Sequence, residues 1–106
     1  MPGRGAYDKL VTFQRADTTE DDYGGEETVW REIEKAWALV RFGSSQERRE
    51  AAAEQSSQIA TFRVLSSIAL RTVTAKDRIL WDGAWDIKAP GIPAGPDLEF
   101  TATRAT

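Results

Sequence analysis

The sequence is built from short blocks in which apolar and polar side chains alternate, with turn-forming residues between the blocks. This period of two places successive side chains on opposite faces of a β-strand. The strongest instance surrounds Asp82-Gly83. A tight type I′ turn needs positive φ at both central positions, and the flanking residues 77–81 and 84–88 alternate correctly. The sequence therefore predicts a β-hairpin here.

Further blocks rich in β-branched and aromatic residues predict strands at residues 9–15, 28–33, 36–42, 59–65 and 98–103. The block 36–42 is apolar on both faces, with Trp37 and Leu39 on one and Ala38, Val40 and Phe42 on the other. Such a strand is expected to be central and covered on both sides.

The remaining segments connect these strands. Residues 66–76 are expected to cross the fold and bury Ile68, Leu70 and Val73, whereas the proline- and glycine-rich residues 90–96 predict a loop. The pattern as a whole predicts a mainly β fold. It is expected to be a small barrel or sandwich of six to seven antiparallel strands, with one short helix or long loop inserted between central strands.

The size of the chain allows one domain. Its 106 residues can enclose a single core, so residues 1–106 are expected to form one unit without internal repeats. No apolar run approaches the roughly 20 residues of a membrane span. The first ten residues lack the apolar stretch of a secretion signal, so we expect the protein to stay where it is made.

The chain contains neither cysteine nor histidine. This composition excludes disulfides and Cys-His or Ser-His catalysis, and it disfavours the usual zinc and haem sites. The carboxylate pairs Asp82 with Asp86 and Glu32 with Glu34 have no pocket predicted around them, so we assign no catalytic residue, cofactor or small-molecule substrate. A net charge of -3 also argues against general nucleic-acid binding.

Residues 44–58, named here the polar segment, contain no large hydrophobic residue. Three alanines favour a helix, and Ser44 with Glu47 has the spacing of a capping box. That helix would have about ten residues, fewer than the roughly 12–15 needed for stability alone. Two interpretations follow: a solvated surface helix or loop, and a segment ordered by a neighbouring molecule.

Residues 17–27 carry only acidic charges and include Gly24-Gly25, which predicts a loop or hairpin tip. A solvated tip is the simpler interpretation, and a docking arm for a basic surface is the other. The candidate docking residues are Asp17, Glu20, Asp21, Asp22, Glu26 and Glu27. Their order does not match an EF-hand, so no metal is expected.

Four tryptophans, Trp30, Trp37, Trp81 and Trp85, allow two interpretations. They could stack bases or sugars, as in an OB-like ligand-binding module. Packing in the core and in interfaces explains them better, because an indole buries a large area and Trp81 and Trp85 flank the predicted hairpin.

The order of these motifs resembles the phage head-tail joining family, also described as head closure or stopper proteins. The resemblance runs from about Lys9 to Phe100 and is carried by Val11-Thr-Phe-Gln-Arg15, Asp22-Tyr-Gly-Gly25, Thr28-Val-Trp30, Ala36-Trp-Ala-Leu-Val40, a polar Ser-x-x-Glu stretch, Thr61-Phe-Arg-Val64, Asp77-Arg-Ile79, Asp82-Gly83, Trp85-Asp-Ile87 and Leu98-Glu-Phe100. The resemblance equally suits gene transfer agents, which are phage-like particles.

This resemblance implies a non-enzymatic connector in the neck of a virion or phage-like particle, made in the bacterial cytoplasm. It implies a homo-oligomeric ring, a dodecamer matching the portal, with the portal or adaptor ring above and a tail terminator below. Packaged double-stranded DNA would pass nearby, with no membrane involved. A tail terminator or adaptor ring subunit is the alternative within the same particle.

In that family an insertion between central strands projects toward the channel, and the polar segment occupies the matching place. The implied channel or gating residues are Ser44, Ser45, Gln46, Glu47, Arg48, Arg49, Glu50, Glu54 and Gln55. Arginine forks bind phosphate well, but the nearby glutamates make pairing between subunits the favoured role of Arg48 and Arg49.

Reversing both charges tests this role. Arg48→Glu combined with Arg49→Glu is expected to impair head closure or ring assembly, because carboxylates would then face carboxylates. The measurement is the titre of intact, DNA-filled particles. A normal titre would contradict the assignment.

Overall fold

The computed structural model of the chain describes residues 4–43 and 57–105. Within these residues it contains seven strands: β1 (Lys9–Glu20), β2 (Glu26–Phe42), β3 (Ser57–Leu65), β4 (Arg78–Leu80), β5 (Ala84–Ile87), β6 (Ile92–Ala94) and β7 (Asp97–Ala105). Two single 3-10 turns, Arg4–Ala6 and Leu70–Thr72, complete the described elements. The fold is mainly β, as predicted.

The strands form one antiparallel sheet in the order β3-β2-β1-β4-β5-β7-β6. The sheet closes on itself because β7 also pairs with β3 along its whole length, from Ser57↔Ala105 to Leu65↔Asp97. Six strands therefore make a closed ring. The other edge of β7 pairs with two strands. The last part of β7 pairs with β5, and the first part of β7 pairs with the short strand β6.

The core fills the interior of this ring. Alternate residues of each strand point inward, as the period-two pattern predicts for Val11 with Phe13 and for Leu98 with Phe100. Phe13 and Phe100 meet with ring centroids 5.1 Å apart, and Phe62 packs edge-on against Trp85 at 5.5 Å. The buried cluster consists of Val11, Phe13, Ala38, Ala60, Phe62, Val64, Leu70, Val73, Ile79, Trp85, Ile87, Leu98, Phe100 and Ala102.

Strand β2 corrects the prediction of two separate strands at 28–33 and 36–42. It is continuous over 17 residues. Phe13 pairs with Glu34 while Gln14 pairs with Glu32, so Ile33 is an extra residue opposite β1. This β-bulge turns Ile33 toward the core and shifts the alternation, which is why the sequence pattern looks interrupted.

The outer face of β2 also differs from the expectation that both faces are covered. Ala38 is buried inside the ring, but Trp37 on the opposite face is 57% exposed. Periodicity shows that two faces are apolar and does not show what covers each of them. The prediction that the Trp37 face of this strand is covered is therefore wrong for the single chain.

The connections agree with the prediction only in part. Leu70 and Val73 are buried, but Ile68 is exposed, because it precedes the turn that carries Leu70 inward. The predicted loop at 90–96 contains β6, where Pro93 lies opposite Leu98 on an edge strand. Strand β3 begins at Ser57, inside the predicted polar segment, whose residues 44–56 lie outside the described part of the chain.

The predicted hairpin is confirmed, with a different loop length. Asp82 and Gly83 both have positive φ, at 49° and 102°. Leu80 pairs with Ala84, so three residues rather than two connect β4 to β5. Trp85 is buried and donates its indole N–H to the Trp81 carbonyl at 2.8 Å, which confirms that these two tryptophans serve packing.

The aromatic contacts inside the ring predict a large effect of truncation. Phe62→Ala is expected to lower the free energy of unfolding by about 3–5 kcal/mol, because it opens a cavity against Trp85. Chemical denaturation measures the change, and Ile92→Ala, on the exposed edge strand, is the control expected to stay within about 0.5 kcal/mol. Equal effects of the two variants would contradict this account of the core.

Candidate interaction surfaces

The hairpin of β1 and β2 extends beyond the ring. Strand β4 pairs with β1 only as far as Gln14, and β3 pairs with β2 only from Ala38 onward. Residues 15–20 and 26–31 consequently pair only with each other among the described strands. They form a two-stranded projection, named here the acidic arm (residues 15–31).

The tip of the acidic arm is a defined turn. Asp21 accepts the Tyr23 and Gly25 N–H groups at 2.9 and 2.7 Å, and its own N–H donates to the Gly25 carbonyl at 2.8 Å. Gly24 takes a φ of 80°, which suits glycine. Tyr23 is 96% exposed, so the turn presents an aromatic ring to its surroundings.

The structure brings the predicted docking residues together on this arm. Asp17 lies nearer the ring, where it pairs with Arg31 at 3.1 Å. The other five are exposed at the tip, and residues 18–30 contain no lysine or arginine. The tip therefore carries uncompensated negative charge, from Glu20, Asp21, Asp22, Glu26 and Glu27.

The base of the arm is fixed on its inner face by a buried carboxylate. Asp77 is 3% exposed and accepts Arg15 Nε and Nη2, both at 3.1 Å, as well as the Thr74 N–H at 2.9 Å. Arg15 also donates to the Thr72 carbonyl at 3.1 Å. The hydrogen bond to Asp77 raises the pKa of Arg15 above its usual value.

The outer face of the base is held by a second arginine. The Arg78 guanidinium lies 3.9 Å from the centre of the Trp30 ring and donates to Gln14 at 2.8 Å. This is a cation–π contact between β4 and the arm. Together the two arginines hold the base of the arm from both faces.

Sequence reasoning missed this double contact, although one signal was present. Arg15 has the same parity as Val11 and Phe13, so it had to point inward and required an acidic partner. Its partner is 62 residues away in the chain, which no local pattern reveals.

A second buried carboxylate fastens the start of the described chain to the ring. Asp97 accepts the Tyr7 hydroxyl at 2.6 Å and Arg63 Nε at 3.0 Å. The hydrogen bond to Asp97 raises the pKa of Arg63. The arginine and tyrosine contacts of Asp97 indicate a structural role.

A groove of about 640 Å³ lies between β2, the end of β3 and the residues before β1. The first wall is formed by residues around Tyr7, before β1, and the second by β2 at Ala36 and Trp37. The third wall is the end of β3, where Leu65 is 54% exposed. The lining residues are Gly5, Tyr7, Asp8, Glu34, Lys35, Ala36, Trp37, Leu65, Ser66 and Ser67.

The carboxylates considered for catalysis are dispersed. Glu34 accepts the Ser67 hydroxyl at 2.7 Å, and Asp82 lies 3.6 Å from Arg104 at the hairpin loop.

Residues 4–43 and 57–105 contain no group of three or more acidic side chains placed to hold a metal. None of their helices has the length and apolar character that a membrane span requires. The predicted gating residues, all within 44–55, lie outside the described chain.

Comparisons with known proteins give one family and a similar fold in solved structures. A family model described as phage head completion protein matches residues 3–103. The fold is similar to a chain of the virion of a native gene transfer agent particle, with TM-score 0.64 and 22% identity over 93% of this chain and 94% of that one. It is also similar to protein SF1141 of Shigella flexneri 2a, with TM-score 0.62 and 20% identity over 89% and 88%. No curated protein matches the sequence.

Removing the buried carboxylate tests how the arm is held. Asp77→Ala is expected to cost about 1–3 kcal/mol of stability, since Arg15 loses its partner but can be partly rehydrated. Amide hydrogen exchange near Arg15 should accelerate as well. Asp22→Ala at the exposed tip is the matched control, and identical stability and exchange in the two variants would show that Asp77 does not hold the arm.

Proposed function

Because the chain belongs to the phage head completion protein family, we propose that it is a structural subunit of a phage or gene transfer agent particle. The observation that carries this proposal is the extent of the match, which covers residues 3–103 of 106. The similarity in fold to a chain of a gene transfer agent virion supports it.

Within the particle, we propose that the protein closes the DNA-filled head and provides a docking surface for the tail. It acts without catalysis, as one subunit of a ring between the portal or adaptor and the tail. Such a ring repeats one heterologous contact, in about twelve copies if it follows the portal. The closed ring of strands supplies a rigid body, and isolated subunits remain monomeric until a partner ring orders them.

The acidic arm is the proposed contact with a neighbouring ring. Its tip carries five carboxylates and an exposed tyrosine, which suit a basic surface with an apolar pocket. The contacts of Arg15 and Arg78 at its base set its direction before binding, which lowers the ordering cost of association.

The polar segment is the proposed moving part. The proposal rests on the sequence of the segment and on its place after β2, where the resemblance to the family puts an insertion that projects toward the channel. We propose that neighbouring copies decide its conformation and that it lies close to the DNA channel.

Deletion of the gene tests the proposal in a phage or transfer agent that encodes this chain. We expect complete tails and heads that have lost their DNA, with joined particles restored by adding the purified protein. Electron microscopy and nuclease-resistant DNA measure the outcome, and an epitope tag on the protein should label the neck of joined particles. Intact particles after deletion would refute the proposal, and a label on isolated tails would indicate a terminator instead.

A further inference from the structure

The groove lies beside an edge of β2 that no other described strand covers. Strand β2 pairs with β1 from Glu26 to Ala38, but its ladder with β3 covers only Ala38 to Phe42. Strand β3 ends at Leu65, and the following Ser66 donates its N–H to the Pro96 carbonyl at 3.0 Å, on the β7 side and away from β2. Among the described strands, the part of β2 that borders the groove therefore has a partner on one side only.

The direction of the main chain at this edge follows from the alternation of a strand. Gly43 donates its N–H to the Ile59 carbonyl at 3.0 Å, so Gly43 faces the β3 side. Every second residue does the same, which places the Lys35 N–H and C=O on the β3 side, beyond the end of the β3 ladder. The Lys35 main chain thus points into the groove, where a further strand could pair with it.

Apolar side chains flank this exposed main chain. Trp37 and Leu65 line the groove and are both more than half exposed, and Leu10, exposed as well, pairs with Trp37 across the β1 ladder. Clusters of exposed large hydrophobic residues mark binding surfaces, and tryptophan is frequent among the residues that dominate them. An extended segment in the groove would cover these side chains.

The charges of the lining indicate the chemistry of the occupant. Asp8 lies 2.8 Å from Lys9 Nζ, and Lys35 lies 3.9 Å from Glu32, so each of these charges has an opposite charge beside it. The carboxylate of Glu34, which accepts the Ser67 hydroxyl, leaves the lining with a net negative charge. A segment with lysine or arginine beside its apolar residues is therefore favoured over an acidic one.

We propose that the groove binds an extended, basic and apolar segment of another protein of the particle, which adds to the sheet as a strand beside Lys35. The main chain of Lys35 supplies the hydrogen bonds, and an apolar side chain of the partner enters between Trp37 and Leu65. The partner's location in the particle rests on the proposed function, while the recognition chemistry rests on the groove.

A proline substitution tests the main-chain contact. Lys35→Pro removes the N–H that faces the groove and leaves the ladder with β1 intact, since the neighbouring residues make that ladder. Lys35→Ala is the matched control, because it removes the side chain and keeps the N–H. In particles assembled with each variant, we expect Lys35→Pro to reduce incorporation about tenfold relative to Lys35→Ala, at equal thermal stability of the free proteins.

The outcomes separate this inference from the proposed function. If deletion of the gene leaves particles intact, the proposed function fails. If deletion is harmful but Lys35→Pro and Lys35→Ala are incorporated equally, the groove inference alone is overturned. If Lys35→Pro lowers the thermal stability of the free protein, for example through the φ that proline imposes, the cross-links of the Ser66→Cys variant decide the inference in its place.

Cross-linking identifies the occupant. The chain has no cysteine, so a benzophenone maleimide reacts with the Ser66→Cys variant at one position, in the groove. The control is Lys88→Cys, which lies after β5 on the opposite side of the ring. In assembled particles, we expect Ser66→Cys to cross-link a different particle protein through a lysine- or arginine-containing extended segment, and Lys88→Cys not to do so. A cross-link to a second copy of this chain, or none, would overturn the proposal.

Discussion

The pairing of β7 with β3 is the interaction on which the rest of the structure depends. It joins the two ends of the sheet and so encloses the aromatic core of Phe13, Phe62, Trp85 and Phe100. A chain of about 100 residues can bury only a small core, and a closed ring protects that core on all sides while removing most exposed edges. Every other feature is attached to this closed body.

Both candidate surfaces arise because β1 and β2 are longer than the ring requires. Strand β2 has 17 residues and β1 has 12, whereas β4 and β5 have 3 and 4. The surplus at one end becomes the acidic arm. Where β3 ends at Leu65, the same surplus leaves an edge of β2 beside the groove with no partner among the described strands. One difference in strand length thus produces both the acidic arm and the edge of β2 beside the groove.

The sequence predicted the parts of the fold that depend on local pattern. The inward faces at Val11 with Phe13 and at Leu98 with Phe100, and the hairpin at Asp82-Gly83, follow from alternation and turn chemistry. The continuity of β2 could not be predicted, because a bulge at Ile33 breaks the alternation without ending the strand. The acidic tip was visible as a charge run, but the contacts that hold it join residues about 50 to 60 positions apart, such as Arg15 with Asp77. The groove was missed because periodicity cannot show which apolar face remains open.

The signs of the charges argue against one copy filling the groove of the next with its acidic arm. The tip carries five carboxylates, and the groove lining adds the carboxylate of Glu34 and that of Asp8, which is paired with Lys9. Like charges brought together at such a contact would oppose association, while basic segments of other proteins would satisfy both surfaces. This arrangement disfavours contacts between free subunits through the arm and the groove. It leaves these two surfaces to partners with basic segments, which agrees with the proposed place of the chain in an assembled particle.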